Sequence, residues 1–264
     1  MPRKNLLTTL IILFLISISG IIVSGIVKAD EFSDKYQEYL NKSSTYRSDY
    51  TAYIIARSQY LSFNTLNSKN QAVNATKTFI TSRNNVLISY IGLLKTVNAE
   101  DFLSTYWSEQ EKFINDVNGR VTTIGSLDDC LTISEMVENK HFEYQLYAKK
   151  TSGLNIISNV EKQLQKYNEL IDKSNQFVSE IKNKQKDVTL LERWLLDAKN
   201  KQWLVDQKIN TAKTNLTNIN SRDVDALNND FNAILYTIFE AHQNLKEGLK
   251  YLNEFSENIK YGNY

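Results

Sequence analysis

Proline is almost absent from this chain of 264 residues: the sequence contains one, Pro2. Glycine is also scarce, with eight residues in all. Proline interrupts helices, whereas the tight turns of sheet proteins draw on glycine and proline together. Because an all-β or α/β chain of this length needs many such turns, the composition predicts long helices instead.

The chain has a single cysteine, Cys130, so no intramolecular disulfide can form. Asp128 and Asp129 precede it directly, and acidic neighbours raise the pKa of a thiol. We therefore expect an inert cysteine rather than a nucleophile, and stability that comes from helix packing alone.

Neither sign of charge dominates the sequence. It has 31 basic and 30 acidic residues, which gives a net charge of +1, and the two signs are interspersed. A domain that binds nucleic acid typically carries a basic patch or stripe. We therefore expect no nucleic acid among the partners.

Complete catalytic and metal-binding motifs are missing as well. There is no Gly-x-Ser-x-Gly and no glycine-rich phosphate-binding motif. Helical di-metal sites use two Glu-x-x-His motifs, and Glu138 with His141 forms only one. The other histidine, His242, has Phe239 at the position of the glutamate. The sequence predicts a protein without enzymatic activity, cofactor or metal.

The most informative segment is the apolar N-terminus. Arg3 and Lys4 precede an uncharged run, Leu6 to Val27, which is long enough to cross a bilayer. Basic residues stay on the cytoplasmic side, so the rest of the chain is expected to be extracytoplasmic. Two alternatives remain open: a retained transmembrane signal-anchor, or a signal peptide over residues 1–29 that is cleaved near Ala29.

The composition also indicates a source. Asparagine, lysine and isoleucine are abundant, which is typical of AT-rich bacterial genomes. We therefore expect a bacterial envelope protein, either anchored in the membrane by its N-terminal helix or secreted.

After the leader, apolar residues recur at spacings of three and four, the pattern of amphipathic helices. The predicted fold class is all-α, an elongated, antiparallel, coiled-coil-like helical bundle of about seven helices. In chain order the predicted helices run over about 30–63, 72–94, 98–124, 126–148, 157–181, 187–219 and 221–259.

Capping residues mark several of the predicted helix starts. Ser126, followed three residues later by Asp129, is the clearest example. The weak break at Thr151–Gly153 leaves open whether the fourth and fifth helices are continuous. The other predicted caps are Asn98, Asp187 and Ser221.

Gly125 is the predicted domain boundary. It separates a tyrosine-rich three-helix bundle over residues 30–125 from a second helical bundle over residues 126–264. The first bundle is called tyrosine-rich because of its first helix.

Six tyrosines follow one three-and-four rhythm on that helix, flanked by Leu40, Ile54 and Leu61. Together they cover a face about three-sevenths wide, which is the width that a bundle buries. The stripe is therefore interpreted as a core seam, with the alternative that part of it stays exposed and binds a ligand or partner. The tyrosines are Tyr36, Tyr39, Tyr46, Tyr50, Tyr53 and Tyr60.

Two hypotheses for function follow. The first is a non-catalytic structural or interaction scaffold in the cell envelope, with a protein partner or self-association. The alternative is a sensor-like helical module that binds a small ligand or glycan through an exposed tyrosine stripe. The exposure of the tyrosines distinguishes them, since a buried stripe leaves no surface for a ligand.

Overall fold

The computed structural model describes residues 26–97 and 101–261, and nearly all of them lie in helices. No strand occurs in these two ranges, so the predicted all-α class is confirmed. In chain order the helices are α1 (Ile26–Phe63), α2 (Leu66–Val97), α3 (Asp101–Val121), α4 (Leu127–Glu138), α5 (His141–Asn183), α6 (Thr189–Thr217) and α7 (Val224–Tyr261).

Two sequence predictions fall wholly or largely outside the described residues: the helix cap at Asn98, and the apolar leader over residues 1–29, of which residues 1–25 are not described. Among the helices that are described, none combines the length and the apolar composition that a bilayer-spanning helix requires.

The chain packs as two compact units, the first ending at Ser152 and the second beginning at Gly153. The sequence placed the boundary at Gly125 instead, before α4. The position of α4 explains the difference, because Cys130 of α4 is buried in a cluster with apolar side chains of the first unit. These are Val73 and Ile80 of α2, with Val121 and Ile124 at and just beyond the end of α3.

In the first unit, α2 packs against α1, α3 and α4. The helices α1 and α2 form an antiparallel hairpin. Ring contacts fix its register, since Tyr39 lies 5.9 Å from Tyr90 and Tyr53 lies 4.9 Å from Phe79 between ring centroids. The hairpin turn consists of two residues, Asn64 and Thr65. The predicted helices, which end at about residue 63 and begin again at about residue 72, left a longer connection, because the polar stretch at the start of α2 resembles a loop.

In the second unit, α6 and α7 pack as an antiparallel pair. Lys201 and Lys208 of α6 pair with Glu247 and Glu240 of α7, at 2.6 Å and 2.7 Å. Such partly exposed ion pairs contribute little, so the apolar seam holds the pair together. Its fully buried members include Leu191, Val205, Ala212, Leu227 and Ala241.

The helix α5 is continuous through Thr151–Gly153, where the sequence suggested a weak break. Gly153 is a close-packing position, because a Cβ atom there would lie 2.8 Å from the side chain of Leu216. The observed break comes earlier, at Asn139 and Lys140 between α4 and α5. Neither residue is a strong helix breaker, which is why the sequence does not reveal it.

Ser126 is confirmed as the cap of α4: it accepts the Asp129 N–H at 3.1 Å. Asp187 acts just outside α6 and accepts the N–H of Thr189 at 2.9 Å. At α7 the prediction was wrong, because Asp223 rather than Ser221 accepts the Ala226 N–H, at 2.8 Å. The hydroxyl of Ser221 instead donates to Asp230 at 2.7 Å.

Candidate functional site

The tyrosine stripe of α1 lies along the seam between α1 and α2. Tyr39 is buried against Tyr90 of α2. Phe79 of α2 is surrounded by three rings of the stripe, with centroids at 5.6 Å for Tyr46, 5.6 Å for Tyr50 and 4.9 Å for Tyr53. Rings at these separations stabilise one another and the hairpin.

Burial differs along the stripe. Tyr36, Tyr46, Tyr53 and Tyr60 are half-buried, whereas Tyr50 is the most open, with 46% of its surface exposed. Burial also raises the pKa of Tyr39 and of Tyr46 above the ordinary value, because a phenolate is poorly solvated inside the seam. The stripe is thus largely packed, and its open part is centred on Tyr50.

A second surface lies at the turn of the hairpin. We call the segment Arg57–Gln71 the hairpin end. All of its residues are exposed except Tyr60, which is half-buried, and Ser68, which is buried. Its most exposed apolar side chains are Leu61 at 69%, Phe63 at 71% and Leu66 at 76%. These three are more exposed than any other large apolar side chain among the described residues.

The backbone of the hairpin end is well ordered by its own hydrogen bonds. Asn64 takes a left-handed conformation with φ of 44°, which asparagine tolerates better than most residues, and its N–H donates to Tyr60 O at 2.9 Å. Thr65 then caps α2: its Oγ1 accepts the Ser68 N–H at 3.1 Å, and Ser68 Oγ accepts the Thr65 N–H at 3.0 Å. This reciprocal pair satisfies two donors that a helix start otherwise leaves unpaired.

Charge at the hairpin end has one sign. No aspartate or glutamate occurs from Tyr50 to Ala99, which covers about the last third of α1 and all of α2. The hairpin end itself carries two charged residues, Arg57 and Lys69. Both are exposed, and within the described ranges neither forms an ion pair. Apolar and cationic side chains therefore share one surface.

Sequence reasoning missed this surface. It assigned Leu61 to the buried face of the first helix and read the start of α2 as a loop. Two signals were available: the apolar residues Leu61, Phe63 and Leu66 on both sides of the turn, and the long stretch without acidic residues. Periodicity alone did not find it, because an exposed apolar residue and a buried one give the same spacing.

The interior of the first unit has a small cavity of about 30 Å³, lined by apolar and polar side chains. Such a volume accommodates about one water molecule, so it is not a pocket for an organic ligand. Two polar residues in its wall interact, since His141 and Gln145 lie 2.6 Å apart between ring and amide nitrogens. Burial lowers the pKa of His141, because the imidazolium loses its hydration.

The Glu138–His141 motif is not displayed on one helix. Glu138 ends α4, and His141 begins α5 after the break at Asn139 and Lys140. Glu138 pairs instead with Arg83 of α2 at 3.1 Å. In the part of the chain that the structure describes, no group of three histidine, cysteine, aspartate or glutamate residues is placed to hold a metal ion.

Comparison with protein families, with curated proteins and with solved structures gives no match to this chain. A functional assignment therefore depends on the chain's own surfaces. Of the two on the first unit, the hairpin end exposes apolar side chains most fully, and the tyrosine stripe does so mainly at Tyr50.

Proposed function

We propose that this protein is a non-catalytic interaction protein of the cell envelope, in which a helical scaffold presents the hairpin end to a partner. The observation that carries the proposal is the exposure of Leu61, Phe63 and Leu66 on one turn. Fully burying a side chain of this kind is worth about 1.5–3 kcal/mol. Three of them covered by a partner therefore supply several kcal/mol of favourable free energy before the costs of association.

Order in the turn supports this proposal. Apolar residues at the tip of a mobile loop lose conformational entropy when a partner binds them. At the hairpin end, the bonds of Asn64, Thr65 and Ser68 already hold the backbone in place. Binding at this turn therefore costs less conformational entropy than binding at a mobile loop, which favours its use as a contact surface.

The location in the envelope is inferred from the apolar leader, whose residues 1–29 act either as a signal-anchor or as a cleaved signal peptide. The helix α1 begins at Ile26, within the last residues of this leader, and has 38 residues. At 1.5 Å per residue, its part from Asp30 to Phe63 separates the leader from the hairpin turn by about 50 Å along the helix axis. The contact surface and the membrane attachment are thus at opposite ends of α1.

Ligand or glycan binding by the tyrosine stripe is the second candidate. Its support is Tyr50, which is half-exposed and lies between the rings of Tyr46 and Tyr53. Sugar stacking needs an open ring face, and Tyr39 is buried. If this candidate is correct, Tyr50→Ala abolishes binding to a glycan array, and Tyr236→Ala, at an exposed tyrosine of α7, leaves it intact.

Site-specific photocrosslinking tests the proposed function. A photoreactive phenylalanine analogue replaces Phe63 in the full chain, expressed in intact bacterial cells. The matched control places the same analogue at Phe239 of α7, which is also exposed. We expect discrete adducts, to protein or lipid, from position 63 and not from position 239. Equal labelling from both positions, or none from either, contradicts the proposal.

A further inference from the structure

We infer that the partner of the hairpin end is an anionic lipid bilayer, into whose interface Leu61, Phe63 and Leu66 insert while Arg57 and Lys69 remain among the headgroups. This inference rests on the proposed function and deepens it by naming the partner. It concerns a lipid contact separate from that of the leader, because the two lie at opposite ends of α1.

The first argument is the shape of the surface. The three apolar side chains flank a two-residue turn between antiparallel helices, so they project from an apex and not into a groove. A projecting apex can enter a deformable bilayer interface without a preformed cavity, whereas a protein partner needs a concave site that fits it.

The second argument is charge. Arg57 and Lys69 are both cationic, and their long side chains can lie along apolar surface with the charged group at headgroup level. Along the chain, the acid before Arg57 is Asp49, eight residues or about 12 Å away on α1, and α2 contains no acid at all. The two helices that form the apex therefore bring no carboxylate to it.

The third argument is the low cost of leaving water. Apart from Arg57 and Lys69, the polar residues of the hairpin end are uncharged serine, threonine, asparagine and glutamine, and one tyrosine. Uncharged polar groups cost far less than carboxylates to move into an interface. Tyr60 adds a ring that suits the headgroup region.

A second copy of the chain fits this surface less well. A symmetric contact between two hairpin ends brings Arg57 and Lys69 of both copies together without any acid to offset them. Like charges brought close together oppose association. An anionic bilayer instead offers opposite charge to both cations.

A local reporter at the apex tests the inference. An environment-sensitive fluorophore is attached at Ser62→Cys, which leaves all three apolar side chains in place, and wild-type protein checks that buried Cys130 is not labelled. The protein is used as isolated, either as the full chain held by its leader in neutral phosphatidylcholine nanodiscs or as the processed form. Vesicles of phosphatidylcholine alone, or with phosphatidylglycerol, are then titrated in.

We expect emission to move to shorter wavelength with the anionic vesicles and to be quenched by lipids that carry a quencher. A probe at Asn200→Cys, an exposed position on α6, stays unchanged. Arg57→Gln with Lys69→Gln raises the anionic lipid concentration for half-response about thirtyfold, since each cation near such a surface contributes about 1 kcal/mol.

Leu61→Ser with Leu66→Ser abolishes the shift, whereas the matched pair Leu190→Ser with Leu196→Ser, two exposed leucines of α6, leaves it intact. Circular dichroism verifies that each variant remains helical.

Several results overturn the inference. An equal shift with neutral vesicles removes the role of charge, and a shift that depends on protein concentration without vesicles identifies a second copy. If the probe does not respond but photocrosslinking at Phe63 captures a discrete protein adduct, the lipid partner is wrong and the proposed function stands. If neither experiment gives a signal, both fail.

Discussion

At the scale of single residues, close packing in the second unit depends on Gly248 of α7. A Cβ atom there would meet the hydroxyl of Tyr167 and lie 2.8 Å from its Cζ atom. That hydroxyl is buried and donates to Ala198 O at 2.9 Å. The missing side chain at Gly248 thus gives the Tyr167 ring the room to make this bond across to α6.

We predict that Gly248→Ala lowers the free energy of unfolding by about 1–3 kcal/mol, the usual cost of overpacking, because Tyr167 must move. Gly119→Ala is the matched control, since nothing lies within 4 Å of a Cβ at that helical position. It is expected to be neutral or to stabilise by up to about 1 kcal/mol. Urea unfolding followed by circular dichroism measures both, and an equal effect of the two substitutions contradicts the packing role.

Lys149 makes the stability of the protein depend on pH. Burial lowers the pKa of this lysine to about 8 from its ordinary value of 10.5, because the ammonium group is poorly solvated in the first unit. Between these two values the unfolded chain binds the proton that the folded chain has released. Stability therefore rises with pH across this window and is lowest, as far as Lys149 is concerned, below about pH 8.

We predict that the stability difference between wild type and Lys149→Met narrows as the pH increases from 8 towards 10.5, with the variant more stable at pH 7. Taking the difference removes groups common to both proteins, including Cys130, whose raised pKa acts in the opposite direction. Urea titrations at several pH values test this. A difference that stays constant shows that Lys149 keeps an ordinary pKa in the folded state.

At the scale of helices, α2 is the element on which the first unit is organised. Its middle, around Ile80, is packed against α3 and α4, whereas its start is exposed at the hairpin end. The neighbouring α1 differs, since Ile54 and Ile55 are exposed in its second half. Apolar residues of the same type therefore have different roles in adjacent helices.

We predict that Ile80→Ala lowers the free energy of unfolding by about 2–5 kcal/mol, because it opens a cavity in a buried cluster. Ile55→Ala makes the same chemical change at a side chain that is 53% exposed, and it is expected to cost no more than about 0.5 kcal/mol. Thermal and urea unfolding compare the two. Similar losses for both mean that α1 is covered at Ile55 in solution.

Sequence predicted much of this organisation, since the three-and-four spacing reports the apolar face of a helix directly. It placed the turn at Asn64 and the cap at Ser126. It did not find the break at Asn139, because no glycine or proline marks that position. It did not find the role of Gly153 either, because a glycine needed for close packing and one that ends a helix cannot be told apart without knowing which side chains pack against them. Exposure at Leu61 and Phe63 depends on which helices stop short of the turn, and periodicity carries no information about that.

At the scale of the whole molecule, the cellular location of these surfaces is a prediction from the leader. Residues 1–29 predict export of everything that follows, whether the leader is kept or removed. From the sequence alone, the tyrosine stripe was the one candidate surface for a partner. In the structure Tyr39 is buried and Tyr53 packs against Phe79, so the stripe is largely covered and the hairpin end is the more exposed surface.

We predict that a membrane-impermeant maleimide labels Asn200→Cys in intact cells, because this position of α6 is exposed and follows the leader that predicts export. A cysteine introduced at Asn5, before the apolar run, serves as the control: it is protected if the leader is a retained anchor and absent from the mature protein if the leader is cleaved. Labelling of Asn200→Cys only after lysis contradicts the extracytoplasmic location.

The burial of Cys130 between α4 and α2 has a consequence for the lifetime of the protein. In an oxidising compartment, an unpaired thiol that reaches the surface can join two chains covalently. Cys130 becomes reactive only when α4 lifts away, so the rate of that lesion scales with the population of the locally open state. Packing of Cys130 against Val73 and Ile80 therefore protects the thiol from oxidation, in addition to stabilising the fold.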